Sequence, residues 1–124
     1  MPLANAEVKD GLLSVRQAIE GERIRLALHG ELDLANAMTA EMMLQEALSS
    51  GREVLVDLGK LEFIDSTGIS ILVVAMRGEN SERISFLPCE SAPVRRVLSL
   101  TGVDERMRFA STGEGRSDSL LPAA

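Results

Sequence analysis

Apolar and polar residues alternate most cleanly in IRLALHG, where Ile24, Leu26 and Leu28 stand between Arg25, Ala27 and His29. A period of two with one apolar face predicts a strand over Ile24 to Gly30. Leu12 to Ile19 reads as a strand before it, and the short connection EGER, with Gly21, predicts a hairpin. The period then changes. From Leu34 to Leu48 the apolar residues recur at helical spacing. At about 100° per residue, Leu34, Ala37, Met38, Met42, Leu44 and Leu48 fall within half the circumference, the width of a core-facing stripe. Ser49, Ser50 and Gly51 end that helix. EVLVDL, Glu53 to Leu58, is apolar on both faces and predicts a central strand covered on part of each face. After GKLEFID a second helix is expected over roughly Thr67 to Glu79, closed by Asn80 and Ser81. Arg83 to Leu87 predicts a further strand, Ala92 to Leu100 a helix stopped by Gly102, and Arg106 to Ala110 a weaker last strand.

This order, strand-strand-helix-strand-helix-strand-helix, predicts an α/β fold. An N-terminal hairpin and βαβ units share one mixed sheet, with helices packed on it. Residues 1–110 are expected to form a single domain, and 111–124 (STGEGRSDSLLPAA) a flexible Gly/Ser-rich tail. With 124 residues, 45% of them hydrophobic, the chain is long enough to build a core.

Charge narrows the partners. The formal net charge of −6, with neither Trp nor Tyr, argues against a nucleic-acid partner. The longest apolar run, Ile71 to Met76, is far short of a membrane span, and MPLANAEVKDG lacks the pattern of a signal peptide. A cytoplasmic location without a membrane partner is therefore expected. Cys89 is the single cysteine, so neither an internal disulfide nor a thiolate metal cluster is available.

Enzyme signatures are mostly missing. The chain contains neither GxxxxGK[ST] nor GxGxxG nor GxSxG. His29, the lone histidine, reads as an ordinary strand residue, because zinc needs three or four ligands. Glu31 and Asp33 are a possible carboxylate pair, but Asp33 precedes a helix and is better read as its cap. Asp57 ends a buried strand, where a phosphoaspartate could sit, yet the first strand lacks an acidic pair to hold magnesium. In LEFIDSTGIS the polar residues Asp65, Ser66, Thr67 and Gly68 lie between a strand and an apolar helix. Either Ser66 or Asp65 can cap that helix, or a hydroxyl can be a site of modification. Gly68 would let another backbone come close.

FIDSTGISILVVAMR, preceded by LVDLGKLE and by LHGELDLANA, resembles the STAS-domain anti-sigma-factor antagonists of bacteria. Their pattern joins a GELD element, a VDL strand and D-S-[ST]-G-[LI] at the second helix, and here it runs from about Leu12 to Ala110. The resemblance implies that Ser66, directly after Asp65, is phosphorylated by a partner anti-sigma factor that is itself a serine kinase. It further implies a non-enzymatic protein without a cofactor. ATP and magnesium would belong to the partner, and a serine phosphatase would reset the switch. Asp65, Thr67 and Gly68 would be partner-binding. One departure is clear, since the family usually closes with an amphipathic helix and this chain ends GEGRSDSLLPAA.

Periodicity adds to this reading. Ile69, Ile71, Leu72, Ala75 and Met76 form a core stripe by angle, leaving Val73 and Val74 beside Ser70 and Arg77. The two valines would make a small docking patch, unless a further element covers them. A different class of function is a STAS scaffold or transporter-accessory module that is never phosphorylated and needs no acceptor hydroxyl. A third, a small phosphate-handling enzyme built on Asp57, would need a metal.

Overall fold

The alternation of Ile24, Leu26 and Leu28 becomes the middle of a long central strand. The computed structural model describes residues 4–110. Its elements run β1 (Ala6–Asp10), β2 (Leu13–Glu20), β3 (Arg23–Leu32), α1 (Ala37–Ser49), β4 (Glu53–Asp57), β5 (Leu61–Ile64), α2 (Ser66–Ala75), β6 (Ile84–Leu87) and α3 (Ala92–Leu100). Short 3₁₀ turns occupy Gly78–Glu82 and Val103–Glu105. The expected tail, 111–124, lies outside the described residues.

Among the described residues the six strands form one mixed sheet, ordered β1-β2-β3-β4-β6 with β5 also on β3. The first three strands are an antiparallel meander, and the β2–β3 turn places Gly21 at φ 66, a left-handed conformation that suits glycine. The other pairings are parallel. β3 accepts β4 along Arg23 to Ala27 and β5 along Gly30 to Leu32, with an irregularity between Gly30 and Glu31. That kink explains the glycine of GELD. Gly30 has φ 98, and a Cβ there would overlap the Leu12 carbonyl oxygen.

Two strands were not expected. β1 alternates Ala6 and Val8 with Glu7 and Lys9 over only five residues and buries neither face, because it is an exposed edge whose charges discourage further pairing. β5 is a four-residue strand, separated from β4 by the turn at Leu58 to Lys60, where Gly30 N–H donates to Lys60 O at 3.1 Å. The weak last strand is present as a single parallel bridge between Phe86 and Phe109, with Phe86 N–H donating to Arg108 O at 2.9 Å. Gly102, at φ 77, stops α3 as expected. Helix α2 ends at Ala75, four residues before the expected Glu79, and the chain then turns through Gly78 at φ 70.

The core joins the apolar face of the sheet to the three helices. Leu26, Leu28, Leu32, Val54, Val56 and Phe86 meet Ala40, Leu44 and Leu48 of α1, Ile71 and Leu72 of α2, and Val94 and Leu98 of α3. Val54, Leu55 and Val56 are all buried, as a central strand requires. The stripe on α1 differs from expectation. Its buried residues are Ala37, Ala40, Leu44, Ala47 and Leu48, whereas Met38 is 71% and Met42 65% exposed. Leu34 precedes the helix altogether. The inward seam is spaced three, four and three residues apart and is largely alanine, which lets α1 approach its neighbours closely. A helical wheel weighted by hydrophobicity is drawn toward the methionines instead.

The two sides of this correction have opposite consequences for stability. Leu72→Ala empties part of a closed core and is expected to cost about 2–5 kcal/mol. Met38→Ser is expected to shift stability by about 0.5 kcal/mol or less, as at other exposed positions. Denaturant melts of both variants check this, and equal losses would return Met38 to the core.

Candidate functional site

The parallel pairing of β5 with β3 delivers Asp65 beside the end of β3, where its N–H donates to Leu32 O at 3.2 Å. Asp65 is extended (φ −107, ψ −174), the conformation of an N-cap, and its Oδ1 accepts from Gly68 N–H at 3.0 Å. The second oxygen, Oδ2, accepts from Leu34 N–H at 3.0 Å, in the turn that leads into α1. One carboxylate thus holds both the start of α2 and the turn that precedes α1. Since Asp65 does the capping, Ser66 becomes the first helical residue and stands exposed.

Asp33 does not cap α1. Helix α1 begins at Ala37 with Asn36 in the N-cap position, and Asn36 makes no side-chain capping bond. Asp33 Oδ1 instead accepts from Ala35 N–H at 3.0 Å, closing a local turn of the kind aspartate favours. Asn36 is 1% exposed and bonded through both polar atoms of its side chain. Its Oδ1 accepts from Asp33 N–H at 3.0 Å, and its Nδ2 donates to Glu31 O at 2.9 Å. The segment LDLAN is therefore a loop stitched by its own side chains, and that stitching aims the Leu34 amide at Asp65.

Gly68 is needed for close packing, but against side chains and not against a backbone. A Cβ on it would lie 2.8 Å from Ile64 Cγ1 and 2.8 Å from Leu32 Cγ. The first turn of α2 is thereby pressed onto the ends of β3 and β5.

Between α1 and α2 lies an open groove of about 320 Å³, lined by Leu34, Ala37, Met38 and Glu41 on one side and Thr67, Ser70, Ile71 and Val74 on the other. Its rim is apolar, with Leu34 76% and Val74 47% exposed. The expected valine pair separates here. Val74 faces the groove, while Val73 is half-buried and packed against the core, so it is not part of an exposed patch. Thr67 is half-buried in the groove wall. Sequence reasoning misses Leu34 and Met38 as surface residues because helical spacing places both on the core-facing stripe. Their spacing of four, continued by Met42 and displaced from the alanine seam, was the signal available.

The other candidates make contacts within the fold. His29 faces Ser14 across the β2–β3 pair, and partial burial, reinforced by the charge of Arg16, holds its imidazole below the usual range. The described residues contain no group of three or more His, Cys, Asp and Glu suited to a metal. Asp57 Oδ2 takes a 2.7 Å ion pair from Arg25 Nη2, and its Oδ1 accepts from Gly59 N–H at 2.8 Å. It shapes the turn after β4. Cys89 is buried, and that burial pushes its thiol up. No helix among the described residues is long and apolar enough to cross a membrane.

Comparison with known proteins matches this geometry to a family. The family model described as Mlab, STAS domain matches residues 15–111. Anti-sigma-F factor antagonist RsfB of Mycobacterium tuberculosis is 32% identical over 89 residues, covering 70% of this chain and 72% of the relative. The crystal structure of an anti-sigma factor antagonist from Mycobacterium paratuberculosis superposes with a TM-score of 0.70 at 20% identity, covering 81% of this chain and 86% of that one. The anti-sigma factor antagonist SpoIIAA of Bacillus, in its unphosphorylated form, gives 0.64 at 20% identity over 86% and 95% of the two chains. The last two similarities establish the mixed sheet and its helices as a shared fold.

The packing at Gly68 is directly testable. Gly68→Ala should destabilise by about 1–3 kcal/mol, the range for an overpacked site, although alanine is the better helix former. A gain in melting temperature would mean that Leu32 and Ile64 move aside freely.

Proposed function

The chain belongs to the STAS domain family and is homologous to anti-sigma-factor antagonists, and on that premise we propose that it is a phosphorylation-controlled antagonist of a kinase-type anti-sigma factor. Unphosphorylated, it binds the anti-sigma factor and so frees a sigma factor for transcription. Phosphorylated on Ser66, it lets go. The chain is the substrate of its partner's kinase activity and needs no cofactor, since ATP and magnesium act on the kinase. A serine phosphatase restores the binding form.

The observation that carries this reading is the division of labour at the start of α2. Asp65 supplies the cap, so the Ser66 hydroxyl is exposed at a helix N-terminus without being required for the fold. A phosphate there gains from the amide ends and the positive end of the helix dipole, so the domain tolerates it. A partner that had accepted a neutral hydroxyl would instead have to bury about two negative charges. Left unpaired, buried charge costs several kcal/mol, enough to separate the two proteins. The docking surface extends from Ser66 and Thr67 along the apolar groove, with Leu34, Met38 and Val74 as its rim. Asp65 and Gly68 serve it indirectly, through hydrogen bonding and packing.

Incubation with the co-purifying kinase and ATP, followed by peptide mapping, should find phosphate on Ser66 and none on Thr67. A Ser66→Ala protein that is labelled equally well refutes the assignment. So does recovery of a membrane transporter with an unmodified Ser66, which would favour an accessory module. Ser66→Ala should bind the anti-sigma factor and resist release, while Ser66→Asp should bind more weakly. Aspartate carries less charge than phosphate, so its effect is partial.

The groove makes a separate prediction. Val74→Ser and Met38→Ser should each weaken partner binding by about tenfold, the loss typical of a contact worth more than 1 kcal/mol. Both should melt within a few degrees of the parent. A binding isotherm and a melting curve on each variant measure the two effects independently, and unchanged affinity in both would exclude the groove from the interface.

A further inference from the structure

Two hydrogen bonds to one carboxylate link the proposed modification site to the shape of the groove. Asp65 Oδ1 holds Gly68 N–H, inside α2, and Oδ2 holds Leu34 N–H, outside it, each at 3.0 Å. Leu34 is the groove's most exposed apolar rim residue, and no helical hydrogen bond fixes it, because α1 starts only at Ala37. Its neighbours Asp33 and Asn36 are tied to their own loop, so the tie from Leu34 to α2 runs through Asp65.

We propose that Asp65 is a positioning residue that couples the Ser66 hydroxyl to the groove, so that charge added at Ser66 loosens the Leu34 lip. This inference rests on the reading of Ser66 as the modified residue. A phosphate on Ser66 places about two negative charges on the residue adjacent to the Asp65 carboxylate. Repulsion between the two anionic groups turns the Asp65 carboxylate so that it keeps one bond and not both, and the part-buried bond to Gly68, at the positive end of the helix dipole, is the stronger. Of the two bonds, the one to Leu34 is the solvent-exposed one, so it is the one that water can replace. Release of the lip then removes part of the apolar rim that faces a partner. The partner is refused twice, by charge at Ser66 and by a groove whose rim is no longer held.

The test uses the full chain, isotopically labelled, with phosphoserine installed at position 66 during translation, so that no kinase is involved. Amide exchange at Leu34 should be about tenfold faster than in the unmodified protein, as loss of a charge-assisted hydrogen bond predicts, with the Met38 and Val74 methyl signals shifted. The Val54 amide, in the core of the sheet, should not change. Asp65→Asn, which keeps an acceptor for Gly68 but loses the charge, should show fast Leu34 exchange already with unmodified Ser66. Phosphoserine should then add little more. Leu34 exchange within twofold of the parent, with unmoved methyl signals, overturns the coupling. So does an equal phosphoserine effect in Asp65→Asn. Should Asp65→Asn fail to fold, as loss of Val54 protection would reveal, the first comparison alone decides. Peptide mapping separately decides whether a kinase modifies Ser66, so the two ideas fail independently.

Discussion

The carboxylate of Asp65 is where the architecture and the proposed switch meet. It stands at the end of β5, bonded through its N–H to β3, and its two oxygens reach α2 and the turn before α1. A serine or threonine cap would offer a single oxygen, whereas the two bonds here fall on two separate oxygens. An ionised carboxylate offers two acceptors, and its charge suits the amide end of α2. The first turn of α2 and the turn at Leu34 are both tied to this group.

The remainder of the site depends on small residues. Gly68 allows α2 to sit on Leu32 and Ile64, and the alanines at 37, 40 and 47 allow α1 to sit deeply in the core. Close approach on the inside leaves the larger side chains Met38 and Met42 outside, next to Leu34 and Val74. Methionine is flexible and polarizable, so a rim built with it can adapt to a partner side chain. The exposed apolar surface follows from an alanine seam that left the methionines no room inward. Ser70 and Thr67 keep the groove wall partly polar, and Glu41 is the acidic residue in its lining.

The division between stability and the proposed signalling follows from burial. The packed faces of the sheet, α1 and α2 enclose Leu72 and Leu44 and make the fold cooperative, while Ser66, Met38 and Val74 lie outside that core. Charge added at an exposed helix start disturbs little inside. A partner pressed against the same spot meets that charge in a desolvated setting, where its effect is far larger. A domain can therefore serve as a reversible signal without unfolding.

The sequence by itself determined the βαβ order apart from the short strands β1 and β5, the mixed sheet, the central character of Val54 to Val56, the turn at Gly21 and the end of α3 at Gly102, because each follows from local periodicity or backbone preference. The motif around Ser66 was equally legible, as was the possibility that Asp65 caps α2. What only the tertiary structure decided is which apolar face of α1 turns inward, that Asp33 closes a loop instead of a helix end, that Val73 and Val74 part company, and that Asp65 reaches across to Leu34. These depend on how closely elements distant in sequence approach one another. A helical wheel measures angle and hydrophobicity, whereas burial is set by the distance between neighbouring surfaces, and small residues on facing elements shorten that distance in a way no single segment reveals.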